Sequence, residues 1–554
     1  MNPAMPSALD LPPTSTAAVP HFSTLPACRE WIDRLPMANP SLAQKMLLDE
    51  LRLLNGYTLP APLRLELLEA LQTPLRFVQE ESTSLFSGKS LPLAPIEQTA
   101  LETTHALWQA ALIGYLRCLE VVLRGDAGFL PKAALVCERA LAILIVDFAD
   151  LTRGGWQADA SLWRFAHLLY SSAETLGVVH APVTDPFHSE AGARPVSPTM
   201  AYAELALLAT AGLHELTPRQ QRWVMRWARQ WSVKLKVSAE VPPLDAALPL
   251  CVDLAQDAPP SYLPHSGPGA RWLETSALRL SMQKRIVLLA KNDPGMTPAS
   301  LGLGEDCTMP ATLEVLQRVY PRWVKGGVQR RYTRHPLSGH CRFVAGGDAI
   351  HYYLSGRKPF RPPGSLSEET LRRQRETVAM LEGETVEFLE ETSRELGFQT
   401  ESWTVAEDWG LSDRSDGGLC LTRPIEREGG RLAIGQLVAV QPAGSGEFML
   451  GVVRWTQRRG NELVAGIQLI PGRPEPVAVR RTGVMATPDP YRPGFVLPAV
   501  SAVQQPLSLI LPPGGFKAGR IMEVWTARIT RHFKLEALID RGADFESARC
   551  VEVS

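Results

Sequence analysis

Gln329-Arg-Arg-Tyr-Thr-Arg334 sets Arg330 and Arg334 in an R-x-x-x-R pattern, and downstream Asp413-Arg-Ser-Asp-Gly-Gly418 sets an acid, a hydroxyl and a glycine as D-x-S-x-x-G. A guanine presents O6 and N7 as neighbouring acceptors, and one guanidinium fork satisfies both, with about 1–3 kcal/mol of discrimination. The same planar cation stacks on a purine face and meets phosphate, which lysine does poorly. The Asp413 carboxylate can accept from a guanine N1/N2 edge or hold an arginine in place, and the Ser415 hydroxyl can reach a phosphate oxygen. Gly417 and Gly418 allow positive φ and close approach of backbone N–H groups to an anion. The stretch from Asp413 to Gly418 reads as a turn into a strand at 419–422. These groups hold a guanine nucleotide without cutting it, since no nucleophile with an adjacent base and no metal-binding acid cluster accompanies them.

Beyond about residue 326 the chain alternates with period two and is rich in turn residues. Strands are expected at 340–345, 349–354, 418–422, 436–441, 447–457 and 462–470, and again at 494–500, 506–511, 520–527, 532–540 and 545–552, with Gly346-Gly347-Asp348 as a hairpin turn. R-x-x-x-R, then D-x-S-x-x-G, then Ile434-Gly435-Gln-Leu-Val438, Leu450-Gly-Val-Val-Arg-Trp455 and Val464-Ala-Gly-Ile-Gln468 together resemble the PilZ domain over roughly residues 326–480. The resemblance implies an antiparallel six-stranded β-barrel that binds the bacterial second messenger cyclic di-GMP, often as an intercalated dimer. It also implies that Arg330, Arg331 and Arg334 clamp guanines and phosphates while Asp413, Ser415, Gly417 and Gly418 complete the pocket. Arg334 and Asp413 lie 79 residues apart, farther than is common in the family, and a helical insertion at about 365–398 accounts for the difference. An inserted excursion costs little once its ends are close. Leu371, Val378, Leu381, Thr385, Phe388 and Thr392 form a 3.5-residue seam in a helix at 367–396, open to two readings: a homo-oligomer contact or packing against the chain's own barrel.

From about 25 to 325 the apolar residues recur with helical spacing. Trp108, Leu112, Tyr115, Leu119 and Val122 share one stripe, and Asn39-Pro40 is a cap followed by a first-turn proline. Further helices are expected at about 131–152, 159–177, 199–212, 217–236, 273–290 and 310–321. The helix at 217–236 carries Trp223, Trp227 and Trp231 at steps of four amid arginines, as a face buried in the helical domain or, alternatively, as a basic aromatic surface. The expected fold class is a multidomain α + β chain: a tail at 1–24, an all-α irregular helical stack at 25–325, a PilZ-like barrel with its insertion at 326–483, and additional β structure at 484–554. The helical domain is the expected interaction surface for a protein partner.

The 554 residues carry 57 Lys+Arg against 58 Asp+Glu, which argues against a bulk nucleic-acid binder. Eight scattered cysteines with no C-x-x-C pair suit reduced thiols in a cytoplasmic protein rather than disulfides or zinc. No membrane-spanning segment is expected, because Arg117 and Glu120 interrupt one apolar stretch and Asp147 and Asp150 another. Gly88-Lys89-Ser90 lacks the glycine that a phosphate-binding loop needs where Thr83 stands, and His340 and Cys341 would point to opposite faces of a strand. The reading is therefore a binder with no cofactor, no metal and no catalytic residues.

Overall fold

A computed structural model describes residues 9–184, 195–242, 249–326, 334–363, 406–482, 489–526 and 529–553, apart from Asp10, Pro12, Ala18, Asn292, Pro294 and Pro362. Arg330, Arg331 and the insertion at 365–398, with its seam helix, lie outside the described residues. The chain divides into two compact units, residues 1–89 with 93–330 and residues 90–92 with 331–554.

The first unit is built on helices α1 (Leu25–Asp33), α2 (Pro40–Gly56), α3 (Ala61–Phe86), α4 (Pro95–Leu123), α5 (Ala133–Arg153), α6 (Ala160–Thr175), α7 (Pro198–Thr210), α8 (Pro218–Ser232), α9 (Ser276–Ala290) and α10 (Ala311–Val324). The Asn39 side chain accepts from Leu42 N at 3.3 Å, so the expected cap opens α2. The expected stripe of α4 is buried throughout, from Trp108 to Val122. Helix α4 is long and apolar enough to cross a membrane by length and composition, yet it packs against α2, α3 and α5, and 67% of its most apolar window is buried. Trp223, Trp227 and Trp231 of α8 are also buried, and the first two indoles donate to Asp306 Oδ2 at 2.8 Å and Leu303 O at 2.9 Å. The aromatic face of α8 is thus core rather than surface. Pro74 stands inside α3, a helix that the punctuation of the sequence hid.

The first unit is not wholly helical. Strands β1 (Lys236–Ser238), β2 (Leu250–Asp253) and β3 (Ala270–Glu274) form an antiparallel sheet in the order β1-β3-β2. Leu250, Val252 and Leu273 are buried in the helical core, and pairing supplies the hydrogen bonds that these extended backbones would otherwise lack.

The second unit contains two closed six-stranded antiparallel barrels. The first is formed by β4 (His335–Ala345), β5 (Glu407–Ser415), β6 (Gly418–Pro424), β7 (Leu437–Pro442), β8 (Met449–Arg459) and β9 (Glu462–Leu469), in the order β4-β5-β6-β9-β8-β7. The second is formed by β10 (Glu475–Arg481), β11 (Arg492–Leu497), β12 (Ser508–Leu511), β13 (Ile521–Thr526), β14 (Ile529–Arg541) and β15 (Glu546–Val553), in the order β10-β11-β12-β15-β14-β13. Strand β10 precedes the expected boundary at 484 but pairs with β11 and β13, so the second barrel starts at Glu475.

The strand expected at 349–354 is instead helix α11 (Gly347–Leu354), opened by Gly346 at φ +92° rather than by a hairpin turn. Ala349, Ile350 and Tyr353 fall on one helical face and enter a core shared with Leu437, Ala439, Leu450 and Val452 of the first barrel and Phe495, Leu497 and Ile510 of the second. In so short an apolar window, periodicity cannot separate strand from helix, and burial against both barrels decides.

His351 of α11 is buried in that region against Phe360 and Phe495, its Nδ1 without a partner, and burial pushes its pKa down to about 4. An unfolded histidine takes up its proton near pH 6.5. Stability due to neutral His351 is therefore fully present above about pH 6.5 and is lost as the pH falls toward 4, on the order of 2–3 kcal/mol. Thermal midpoints measured across that window should fall with acid, and His351→Leu should show a shallower slope.

Candidate functional site on the first barrel

Register brings the two motifs together. Strand β4 pairs with β5 through His335↔Arg414 and Pro336↔Asp413, so Arg334, one residue before β4, arrives at the end of β5. Its Nη1 lies 3.1 Å from Asp413 Oδ2, with both side chains partly exposed. Asp413 Oδ1 is buried and has no hydrogen-bond partner among the described residues.

The stretch expected to be a turn is mostly strand. Asp413 and Ser415 close β5, Asp416-Gly417 alone makes the turn, and Gly418 opens β6 opposite Ser415. The Ser415 hydroxyl donates to Gly418 O at 3.4 Å, and Gly417 O accepts from Leu469 N at 3.0 Å. Gly418 does not have positive φ; a Cβ there would stand 2.5 Å from Ile467 O of β9. Its smallness is therefore needed for barrel closure.

One cross-strand row extends the site beyond the motifs: Asp413 pairs with Cys420 of β6, Cys420 with Gly466 of β9, and Gly466 with Trp455 of β8. Register shifts between Leu411 and Asp413 and between Val453 and Trp455 stand at both ends of this row, and such bulges re-aim side chains. Four strands span about 14 Å at ~4.8 Å each. The Trp455 indole shortens that span by folding over Gly466, where a Cβ would meet its Nε1 at 2.1 Å. Beside it, Arg454 donates to Gln468 Oε1 at 2.6 Å, and Gln468 pairs with Gly418. Burial and the neighbouring Asp413 carboxylate push the Cys420 thiol pKa up, against the pull of Arg334 and Arg459.

A buried clamp ties down the opposite end of β5 and β6. The Glu407 carboxylate pairs with Arg423, accepts from Trp409 Nε1 at 2.8 Å and accepts from Gly430 N at 2.6 Å. The Arg423 guanidinium lies 5.0 Å from the Trp409 ring centroid and donates to Gly430 O at 3.1 Å. With β5 held there, the row offers a cation and a carboxylate at one end, small residues in the middle and an indole at the other. A planar anion suits such a face. Trp455 stood in the sequence only as part of a strand pattern; seeing it as part of the site requires the register that sets it against Gly466.

Residues 26–243 match the family model described as the N-terminal domain of the cyclic-di-GMP receptor FimW, and residues 477–549 match that of the FimW C-terminal β-barrel domain. The chain is also 24% identical over 540 residues to the cyclic-di-GMP receptor FimW of Pseudomonas aeruginosa (strain PAO1), with 89% of this chain and 85% of that protein covered. Both the helical unit and the second barrel are thus similar to a family of cyclic-di-GMP receptors. The two matched stretches flank the first barrel, which carries the motifs.

Gly418→Val should lower the unfolding free energy by about 1–3 kcal/mol through the clash with Ile467 O. Denaturant unfolding checks this, and an unchanged midpoint would contradict the close β6–β9 approach.

Proposed function

We propose that the chain is a receptor for cyclic di-GMP, that a PilZ-like first barrel reads the messenger on its outer face, and that the helical unit passes the signal to a protein partner. The observation that carries this reading is the meeting of Arg334 with Asp413 at 3.1 Å across a long sequence separation. Arg334, with Arg330 and Arg331 before it, would offer guanidinium forks to guanine O6/N7 and to phosphate. Asp413 would accept from the N1/N2 edge once Arg334 turns to the ligand and frees its carboxylate, Ser415 would reach a phosphate, and Trp455 would stack a base over Gly466. Gly417 and Gly418 shape the hairpin that keeps these groups in register. A receptor needs no bond broken, which agrees with the lack of an activated nucleophile in the motifs. The relay would run through the segment at 323–327, where the motif adjoins the end of α10, within the cytoplasm where this messenger acts.

A second reading is a ligand-independent adaptor, in which the Arg334–Asp413 ion pair serves to close the barrel end. Titration calorimetry with cyclic di-GMP separates the two. Binding by the full chain, weakened about tenfold or more by Arg334→Ala, supports the receptor, following ~1–3 kcal/mol per bidentate contact. No heat of binding leaves the adaptor. Trp455→Ala should also weaken binding, by roughly 1–3 kcal/mol for one stacked base; an unchanged Kd would remove the indole from the site.

A further inference from the structure

The two barrels share more than a strand count. Numbered within each barrel, both follow the order 1-2-3-6-5-4, with all neighbours antiparallel and strand 1 closing on strand 4. The correspondence reaches individual rows. In the first barrel the third pair back from the β5–β6 hairpin is Asp413↔Cys420, and the row continues to Gly466 and Trp455. In the second, the third pair back from the β11–β12 connection is Phe495↔Ile510, and the row continues to Ser547 and Asp540. Trp455 directly follows a register shift in the fifth strand of its barrel, and Asp540 directly follows one in the fifth strand of the other.

Side-chain direction agrees. Leu419 of the first barrel and Val496 and Leu509 of the second, one pair closer to the connection than each row, are all buried, and the latter two belong to the interior core of the second barrel. Phe495 and Ile510 point the other way, into the core around α11. The face that carries a cation, an acid and an indole in the first barrel has in the second an apolar half, Phe495 and Ile510, covered by the core around α11, and a polar half, Ser547 and Asp540. Its last member, Asp540, accepts from Arg454 Nη2 at 2.7 Å. Arg454 is the residue skipped at the bulge before Trp455, and its Nε is held by Gln468.

We propose that the two barrels are copies of one unit, that the second has turned its own ligand row into the surface that packs against the first, and that Asp540 is a positioning residue for the ligand face through Arg454. The proposal rests on the receptor reading given above. Arg454, held from both sides, fixes the backbone at the bulge from which the indole is aimed over Gly466. An exposed ion pair adds little to stability by itself, so its consequence is orientation of the ligand face. Among the described residues of the two barrels, the row with a cation, an acid and an indole belongs to the first, and binding is expected there.

The test is a titration of the full chain with cyclic di-GMP, with thermal midpoints recorded in parallel. Asp540→Ala should weaken binding about fivefold or more at an unchanged midpoint, the size of a typical coupling between sites, and Asp540→Glu should restore most of it. In a Trp455→Ala background the same Asp540→Ala change should have little further effect, because the two act on one element. Equal weakening in both backgrounds, or none in either, overturns the positioning role. Binding that persists in Arg334→Ala and disappears on Phe495→Ala would overturn the silent second barrel. Should Asp540→Ala fail to fold, Asp540→Asn keeps the volume and carries the same expectation. If the unaltered chain binds nothing, the receptor reading fails and the inference with it; binding that Asp540→Ala leaves untouched overturns the inference alone.

Discussion

The cross-strand register of the first barrel, anchored by the buried Arg423 and its partly exposed partner Glu407, is the constraint on which the site depends. Arg423 is among the largest fully buried side chains of the molecule, and removing one partner of such a pair leaves an uncompensated charge at a cost of several kcal/mol. Trp409 Nε1 and Gly430 N satisfy the remaining demands of the carboxylate, so the start of β5 and the end of β6 are held together at one end of the barrel. From that anchor the ladder runs to the two-residue hairpin at Asp416-Gly417. A one-residue slip would turn Asp413 inward and Leu411 outward. The site is thus a consequence of pairing, carried by side chains on the outer face of the barrel.

Bulges convert this rigid frame into a shaped surface. Those beside Asp413 and Trp455 lie at opposite ends of one row, and Gly466 between them leaves room for the indole to lie down. The Arg334–Asp413 pair ties the residue before β4 to the end of β5. A ligand with both anionic oxygens and amide-type donors can take over both groups at once. The second barrel repeats the frame, with Phe495 and Ile510 of the equivalent row buried in the core that it shares with the first barrel and α11.

Residue types were legible in the sequence; the register that brings Arg334 to Asp413 was not. The arginine motif, Asp413, Ser415 and Gly418 could be named because their types and order carry the chemistry, and most strands were visible because their outer and inner faces alternate. What escaped had physical reasons. Trp455 joins the site only through a bulge and a facing glycine, neither of which leaves a local signature. Helix α11 has an apolar pattern too short to separate periods of 2 and 3.6 residues, and two barrels decide its state from outside. Pro74 inside α3 and the short sheet of β1, β2 and β3 run against local propensity and are stabilised by the core they join. The role of Gly418 was visible as a glycine requirement but assigned to an anion, whereas Ile467 O imposes it.

The most direct measurement is a crystal structure of the full chain grown with cyclic di-GMP. The account predicts the messenger on the outer face of the first barrel, a guanine in van der Waals contact with the Trp455 indole, and Arg334 turned from Asp413 toward the ligand. Density for the messenger on the helical unit or the second barrel, with the Arg334–Asp413 pair undisturbed, would contradict it.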